Sequence, residues 1–422
     1  MSTERIYEMI GVGLGVFNLA LAAQLEDNGY SDSLFFEKQP EMNWHGGMLL
    51  DSSELQVHYM KDLVTPVDPR SQFSFLNYLR DRRLLYQFMN RKSESISRNQ
   101  FQYYFRWVAG QLNCVRFNST VSSVRFEDGL FTVQVGDESF RSRHIALASG
   151  IDPVIPDCAR DLLGENVFHV AQYSEHRGNL DGKSVTVIGG GQSGAEVVMD
   201  LLENAPDADL NWYSRGLYFA QLEDNCFINE LYVPSFTNTF RKVSLPQKQA
   251  FMERLGTSSD GINQSLLDRI YRHVFERRFF SEKRNRYHLV AGQELTALER
   301  TGKGLTASMR AWTDGALSRV ETDVVVLATG FRPSVRRLLK DVLSEHEELR
   351  VGAHFELQWA HQHSNHIFVQ NGSRMCIGLA DANLSIAAWR AAMIVNCLLG
   401  TERYDVEPDS PMVGHLLSRI AA

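Results

Sequence analysis

Lys183-Ser184-Val185-Thr186-Val187-Ile188-Gly189-Gly190-Gly191-Gln192-Ser193-Gly194-Ala195-Glu196 is the stretch that decides the architecture. Ser184–Ile188 is an apolar run of strand length. Gly189, Gly191 and Gly194 have the GxGxxG spacing, and a helical period follows from Ala195 to Glu203. Such a strand–turn–helix collects backbone N–H groups and the positive end of a helix at one point, where a pyrophosphate is stabilised. The next strand, Leu210–Tyr213, is where a ribose-binding carboxylate would stand. Tyr213-Ser214-Arg215 stands there instead. A hydroxyl and a permanent, fork-shaped cation suit a 2′-phosphate. Gly189, Gly191, Gln192, Ser193, Gly194, Ser214 and Arg215 are therefore assigned to NADPH. The competing reading of Arg215 is a solvated charge at a strand end.

Working outward, the same pattern recurs at Ile6–Lys38. A strand leads into Gly11-Val12-Gly13-Leu14-Gly15, a helix over Asn18–Asn28 follows, and the strand Ser33-Leu34-Phe35-Phe36 ends at Glu37. The spacing is irregular, with Val16 where a third glycine would stand. Glu37 at the strand end can accept hydrogen bonds from ribose hydroxyls and would repel a 2′-phosphate. This turn therefore suits FAD, through Gly11, Gly13, Gly15 and Glu37. Two dinucleotide folds in one chain imply hydride transfer from a nicotinamide to a flavin.

The two βαβ units predict an α/β protein with two Rossmann-like domains and a small, mainly helical subdomain. Helical stretches are expected at Phe73–Leu85 and Gln100–Leu112, and a short-strand meander at Val115–Gln134. Strand His144–Leu147 ends in Ala148-Ser149-Gly150. Val324–Leu327 ends in Ala328-Thr329-Gly330, and Leu384–Leu398 reads as a helix. The expected organisation is an FAD-binding domain (1–160), the NADPH-binding domain (161–215), a helical substrate subdomain (216–285), a return to the NADPH domain (286–322), and a return to the FAD domain (323–422).

Composition narrows the class. Across 422 residues the net charge is −8, which argues against a nucleic-acid or anionic-membrane partner. The five cysteines, Cys114, Cys158, Cys226, Cys376 and Cys397, contain no CxxC pair. That fits a reducing cytoplasm and disfavours a flavin disulfide reductase. No signal-peptide pattern and no spanning apolar run is expected. His361, His363 and His366 are spaced like metal ligands, but no carboxylate or thiol pattern accompanies them, and no metal is assigned.

The chain resembles the flavin-dependent N-hydroxylating monooxygenases of siderophore biosynthesis, along the lysine and diamine branch. The likeness rests on an ordered series: Phe17-Asn18-Leu19, Asn43-Trp44-His45-Gly46-Gly47-Met48, Gln56 with Met60-Lys61-Asp62-Leu63-Val64, Phe75-Leu76-Asn77-Tyr78-Leu79, Tyr104-Phe105-Arg106-Trp107, the second glycine turn, Asn211-Trp212-Tyr213-Ser214-Arg215, Asn229-Glu230, Ala328-Thr329-Gly330-Phe331-Arg332, and Asn383-Leu384-Ser385 with Trp389-Arg390. The resemblance implies FAD contacts from Trp44, His45, Gln56, Thr329, Gly330, Leu384 and Ser385, and substrate contacts from Gln56 and Lys61. It implies that reduced flavin meets O2, that a C4a-hydroperoxide hydroxylates a small primary amine, and that NADP+ stays bound meanwhile. Relatives are often homodimers or homotetramers.

Two departures stand out. Ile377 replaces the His that most relatives carry before Gly378, and Ser259-Asp260-Gly261-Ile262 replaces the Asn-Tyr pair of ornithine hydroxylases. Asp260 is either a substrate-ammonium contact or a turn residue. Lys61 would anchor a carboxylate if it faces the substrate, and His45 is either an acid–base group or a packing residue. Gly164, His169 and Tyr173 only partly echo the linker signature of sulfur- and ketone-oxidising flavin monooxygenases. That class, and a non-catalytic NADP-binding sensor, are the alternatives.

Overall fold

The computed structural model describes residues 5–51, 53–92, 96–280, 287–302, 304–343, 349–361, 364–408 and 410–413. One mixed and one parallel sheet carry the two glycine turns. The first runs, edge to edge, Val115–Arg116, Ser33–Phe36, Ile6–Val12, Glu138–Leu147, Leu130–Val135 and Val121–Glu127, with Ile367–Val369 also paired to Glu138–Leu147. Val115–Arg116, Ser33–Phe36, Ile6–Val12, Glu138–Leu147 and Ile367–Val369 pair in parallel; Leu130–Val135 and Val121–Glu127 add an antiparallel hairpin. The expected meander is therefore split, because its first two residues extend the parallel sheet.

The second sheet is parallel throughout, in the order Tyr287–Ala291, Asp209–Ser214, Ser184–Ile188, Val324–Leu327, Val167–His169. A three-stranded antiparallel sheet, Gln293–Thr301, Gly304–Ala311 and Leu317–Thr322, covers one side. The strand Val324–Leu327, expected to open the return to the first domain, belongs to this second sheet. The crossing back follows it, where Phe331–Pro333 pairs antiparallel with Ile151–Pro153.

The helices follow the apolar patterning. Val16–Asp27 is buried on nearly every face (Leu19, Ala20, Leu21, Ala22, Ala23 and Leu25 are all 0 % exposed) because it lies between the first sheet and the C-terminal helix Ala387–Leu399. The side chain of Gln24 donates to the carbonyls of Leu63 and Ala388, tying that junction. Gln192–Asn204 backs the second sheet, and the expected insertion is helical, with Pro234–Arg241, Leu245–Arg254 and Gln264–Phe280 as its longer members.

Both sheets present their glycine turn to the carboxyl end of the neighbouring strand in the same way. A Cβ added to Gly13 (φ +81°) would lie 2.5 Å from the Ala148 carbonyl oxygen. A Cβ added to Gly189 (φ +133°) would lie 2.1 Å from the Ala328 carbonyl oxygen. Only glycine admits that approach without moving backbone. Ala148-Ser149-Gly150 and Ala328-Thr329-Gly330 are thus equivalent hubs, each leading into one strand of the two-stranded crossover. Thr329 donates from Oγ1 to the Val154 carbonyl at 2.5 Å, which ties the two hubs' linkers together.

Candidate active site

At the first turn, Asn18 donates to the carbonyls of Gly13 (2.7 Å) and Ala146 (3.2 Å), and accepts from Gln370 (3.2 Å). This buried amide fixes the turn to its sheet. The helix that follows starts at Gly15, with no side-chain cap and no acid in its first turn. Its leading N–H groups are not answered by any side chain there. The Glu37 carboxylate accepts from the N–H of Leu14 (2.8 Å) and of Gln39 (2.9 Å). Each carboxylate oxygen keeps a lone pair for a ribose hydroxyl.

The second turn is braced by Trp212, 1 % exposed, whose indole donates to the Gly189 carbonyl at 2.8 Å. Its helix likewise begins without a side-chain cap, at Gly191. Ser214 is buried against Gly190, and its Oγ accepts from the Gly216 N–H at 3.1 Å. Arg215 is exposed at the strand end. Thr329 and Gly330, expected beside the flavin, sit on the second sheet's carboxyl edge, next to Gly189. Gly330 accepts from His169, which is 1 % exposed, at 3.1 Å, and the Tyr173 hydroxyl donates to Asp200 at 2.7 Å. His169 and Tyr173 therefore bolt the linker to the second sheet.

The Trp44–Met48 segment forms a short helical turn entered through His45 in the left-handed conformation (φ 53°). A Cβ on Gly47 would lie 1.7 Å from the Ala171 carbonyl oxygen, so this turn can rest on the linker only as glycine. His45 keeps an open face within a crowded crevice. That crowding, and then the Arg98 guanidinium, hold its imidazole pKa below the ordinary value.

A cavity of about 230 Å³ lies between the first domain and the insertion. It brings together Gln56, Asp260 and Ser385, three of the residues singled out from sequence. Lys61 stands behind Ser385, donating to its Oγ at 3.0 Å. Burial lowers the Lys61 pKa, while nearby Glu230 pulls it the other way. The Asn383–Ser385 turn is held from below by Arg390, which is fully buried. Arg390 donates to the Asp381 carbonyl and carboxylate and lies over the rings of Phe17 and Phe355. That cluster accounts for the Trp389-Arg390 signature as support rather than contact.

Sequence reading missed several residues of this region. Arg374 reaches the cavity wall from a short helix with no motif around it. Asn263 accepts from the Gln56 amide at 3.0 Å, and its own N–H donates to Gln192 Oε1 at 2.9 Å. Gln192 in turn donates to Glu196 (2.8 Å), and Glu196 is ion-paired to Arg98. A continuous polar chain thus runs from the cavity wall to the second glycine turn and back to the first domain. Nothing in the spacing of 56, 98, 196 and 263 announces it.

Ile377 is 0 % exposed in the apolar core. No group of His, Cys, Asp and Glu among the described residues could hold a metal ion; His363 lies outside them. No described helix is long and apolar enough to cross a membrane.

Two Rossmann-like sheets, two glycine turns and a polar cavity beside them define a two-dinucleotide α/β oxidoreductase. The chain belongs to the L-lysine 6-monooxygenase/L-ornithine 5-monooxygenase family, whose profile matches residues 5–333. It is 33% identical over 412 residues to the L-lysine N6-monooxygenase of Escherichia coli, covering 96% of this chain and 97% of that one. It is 30% identical to the putrescine N-hydroxylase of Shewanella oneidensis, over 95% of this chain and 82% of that one. Among solved structures, the FAD-bound cadaverine monooxygenase DfoA of Erwinia amylovora superposes with a TM-score of 0.89, at 26% identity, over 97% and 98% of the two chains. The expected family and fold are borne out. The sulfur- or ketone-oxidising class and the sensor are set aside.

Proposed function

We propose that the chain N-hydroxylates the terminal primary amine of L-lysine or an aliphatic diamine, cadaverine or putrescine, with NADPH and O2, for hydroxamate siderophore biosynthesis. The observation that carries this reading is the repeated fit of glycine turn to strand carbonyl in a chain of this family. Gly13 and Gly189 each sit where any side chain would strike a carbonyl oxygen, and each leads into a helix without a side-chain cap. Both turns can therefore take a pyrophosphate against bare backbone N–H groups. Gly11, Gly13, Gly15 and Glu37 would hold FAD, with Trp44, His45, Gln56, Leu384 and Ser385 near it, while Thr329 and Gly330 stand at the edge of the NADPH turn. Gly189, Gly191, Gln192, Ser193, Gly194, Ser214 and Arg215 would hold NADPH. FAD, reduced by NADPH, supplies the oxygen activation that no side chain can.

The protein's own part is to place and to shelter. Gln56 and Asp260 on the cavity wall, and Lys61 behind Ser385, are proposed substrate contacts. An alkylammonium has a pKa of about 10.4 and must shed its proton to react. The carboxylates on the cavity wall, Glu223, Asp224 and Asp260, would hold that ammonium charged, so the reacting nitrogen is proposed to lie away from them. We place the enzyme in the cytoplasm as a homodimer or homotetramer. The exposed aromatics Tyr271, Phe279 and Phe280 on the helix Gln264–Phe280 support self-association. Our proposed domain division takes the two sheets as its guide and resumes the FAD unit after Pro333.

The test is a panel of L-lysine, L-ornithine, cadaverine and putrescine, scoring NADPH oxidation and hydroxylamine together. Hydroxylamine from lysine or a diamine is expected. Its absence from all four refutes the reading.

A further inference from the structure

Within the reading of this cavity as the amine site, we infer that Arg374 and Asp260 form a two-charge receptor for the zwitterionic head of an α-amino acid. Lysine, rather than a diamine, is then the preferred substrate. Both residues line the cavity, and one hydroxyl joins them. Arg374 Nη2 donates to Ser259 Oγ at 2.9 Å, and Ser259 Oγ donates to Asp260 Oδ1 at 2.9 Å. The relay leaves Asp260 Oδ2, Arg374 Nε and Arg374 Nη1 without a hydrogen-bond partner among the described residues. A cation and an anion are thus presented side by side, each with an unused hydrogen-bonding edge.

That arrangement is complementary to an ammonium and a carboxylate on one carbon. Asp260 takes the α-ammonium, and the planar guanidinium takes the α-carboxylate. Glu223 and Asp224 line the cavity as well, so an ammonium finds carboxylates there in either substrate; Arg374 is the one cation among the lining residues, and only an amino acid's carboxylate makes use of it. The Tyr232 hydroxyl lies within the field of both charges, which places them around one spot: Asp260 raises and Arg374 lowers its pKa, beneath a larger effect of burial. Lys61 is less suited to the carboxylate. It is half-buried, bonded to Ser385 and close to Glu230, so its charge is already answered.

The experiment compares L-lysine and cadaverine as substrates of the FAD-loaded wild type, Arg374→Gln, Arg374→Lys and Lys61→Ala. Lysine binding is measured in parallel by calorimetry. Arg374 is exposed on a four-residue helix, so loss of folding is not expected, and FAD content checks it. For Arg374→Gln the lysine KM and Kd should rise at least about tenfold, one charge-assisted contact. Its kcat should stay within about twofold, and the cadaverine KM should stay or fall. Arg374→Lys should recover part of the loss. An unchanged lysine-to-cadaverine KM ratio in Arg374→Gln, or a ratio that shifts only in Lys61→Ala, overturns the inference while leaving the hydroxylase reading intact. No hydroxylamine from either substrate in the wild type is a different failure, that of the proposed function itself.

Discussion

Arg98 and Glu196 join the two dinucleotide domains through an ion pair whose side chains are 15 % and 1 % exposed. Truncating one partner should be costly, and replacing both should not. Arg98→Ala strands the Glu196 carboxylate in the interior with only the Gln192 amide for company. Removing one member of such a pair costs about 3–5 kcal/mol, while swapping the whole pair for apolar residues of similar volume is near neutral. Glu196 Oε2 and Arg98 Nε have no partner, so the pair is not fully satisfied, and that favours the apolar double variant further. The assay is denaturant unfolding of FAD-loaded Arg98→Ala, Glu196→Ala and Arg98→Leu/Glu196→Leu. Each single variant should lose about 3 kcal/mol or more, and the double variant less than either. Single losses below about 1 kcal/mol would mean that solvent screens the pair. A double-variant loss equal to the sum of the singles would mean that the two residues do not act on each other.

Three further outcomes follow from the same geometry. Gly189→Ala should lose NADPH binding while retaining FAD, because φ +133° alone costs about 1–3 kcal/mol for a residue with a side chain and the added methyl meets the Ala328 carbonyl; Gly164→Ala, with open space around it, should stay within about 0.5 kcal/mol of wild type in the same unfolding assay. Arg215→Ala should raise the NADPH KM at least about tenfold and leave the NADH KM unchanged, since only the 2′-phosphate needs the cation; equal effects on both nucleotides would remove Arg215 from that role. His169 has its pKa lowered from 6.5 to about 4, chiefly by burial. The fold favours the neutral ring, so its contribution is complete above pH 6.5 and is lost as pH falls toward about 4. His169→Gln should therefore flatten stability against pH in that window by about 3 kcal/mol, and an unaltered profile would refute it.

The two glycine turns could be read from sequence because their physics is local. Glycine spacing, a strand before and a helix after are contained in about thirty residues. The strand Ser184–Ile188 lies where the apolar run places it, and the helices begin slightly earlier than the periodicity suggests, at Val16 and Gln192, since the turns themselves open them. The strand Val324–Leu327 was harder. Four apolar residues carry no mark of which sheet they join, and its partners at Ser184–Ile188 and Val167–His169 lie far back in the chain.

The sequence by itself thus determined the two-nucleotide architecture, the acidic and the basic strand ends at Glu37 and Arg215, and the family. Tertiary structure alone decided what surrounds the cavity. Arg374, Ser259 and Asp260 meet there although Arg374 is more than a hundred positions away, and Gln56, Asn263, Gln192, Glu196 and Arg98 form one chain across three parts of the molecule. The reason is physical. A pyrophosphate turn is made by neighbours along the backbone, whereas a charge receptor is made by side chains that only the packing of separate elements brings within hydrogen-bond reach.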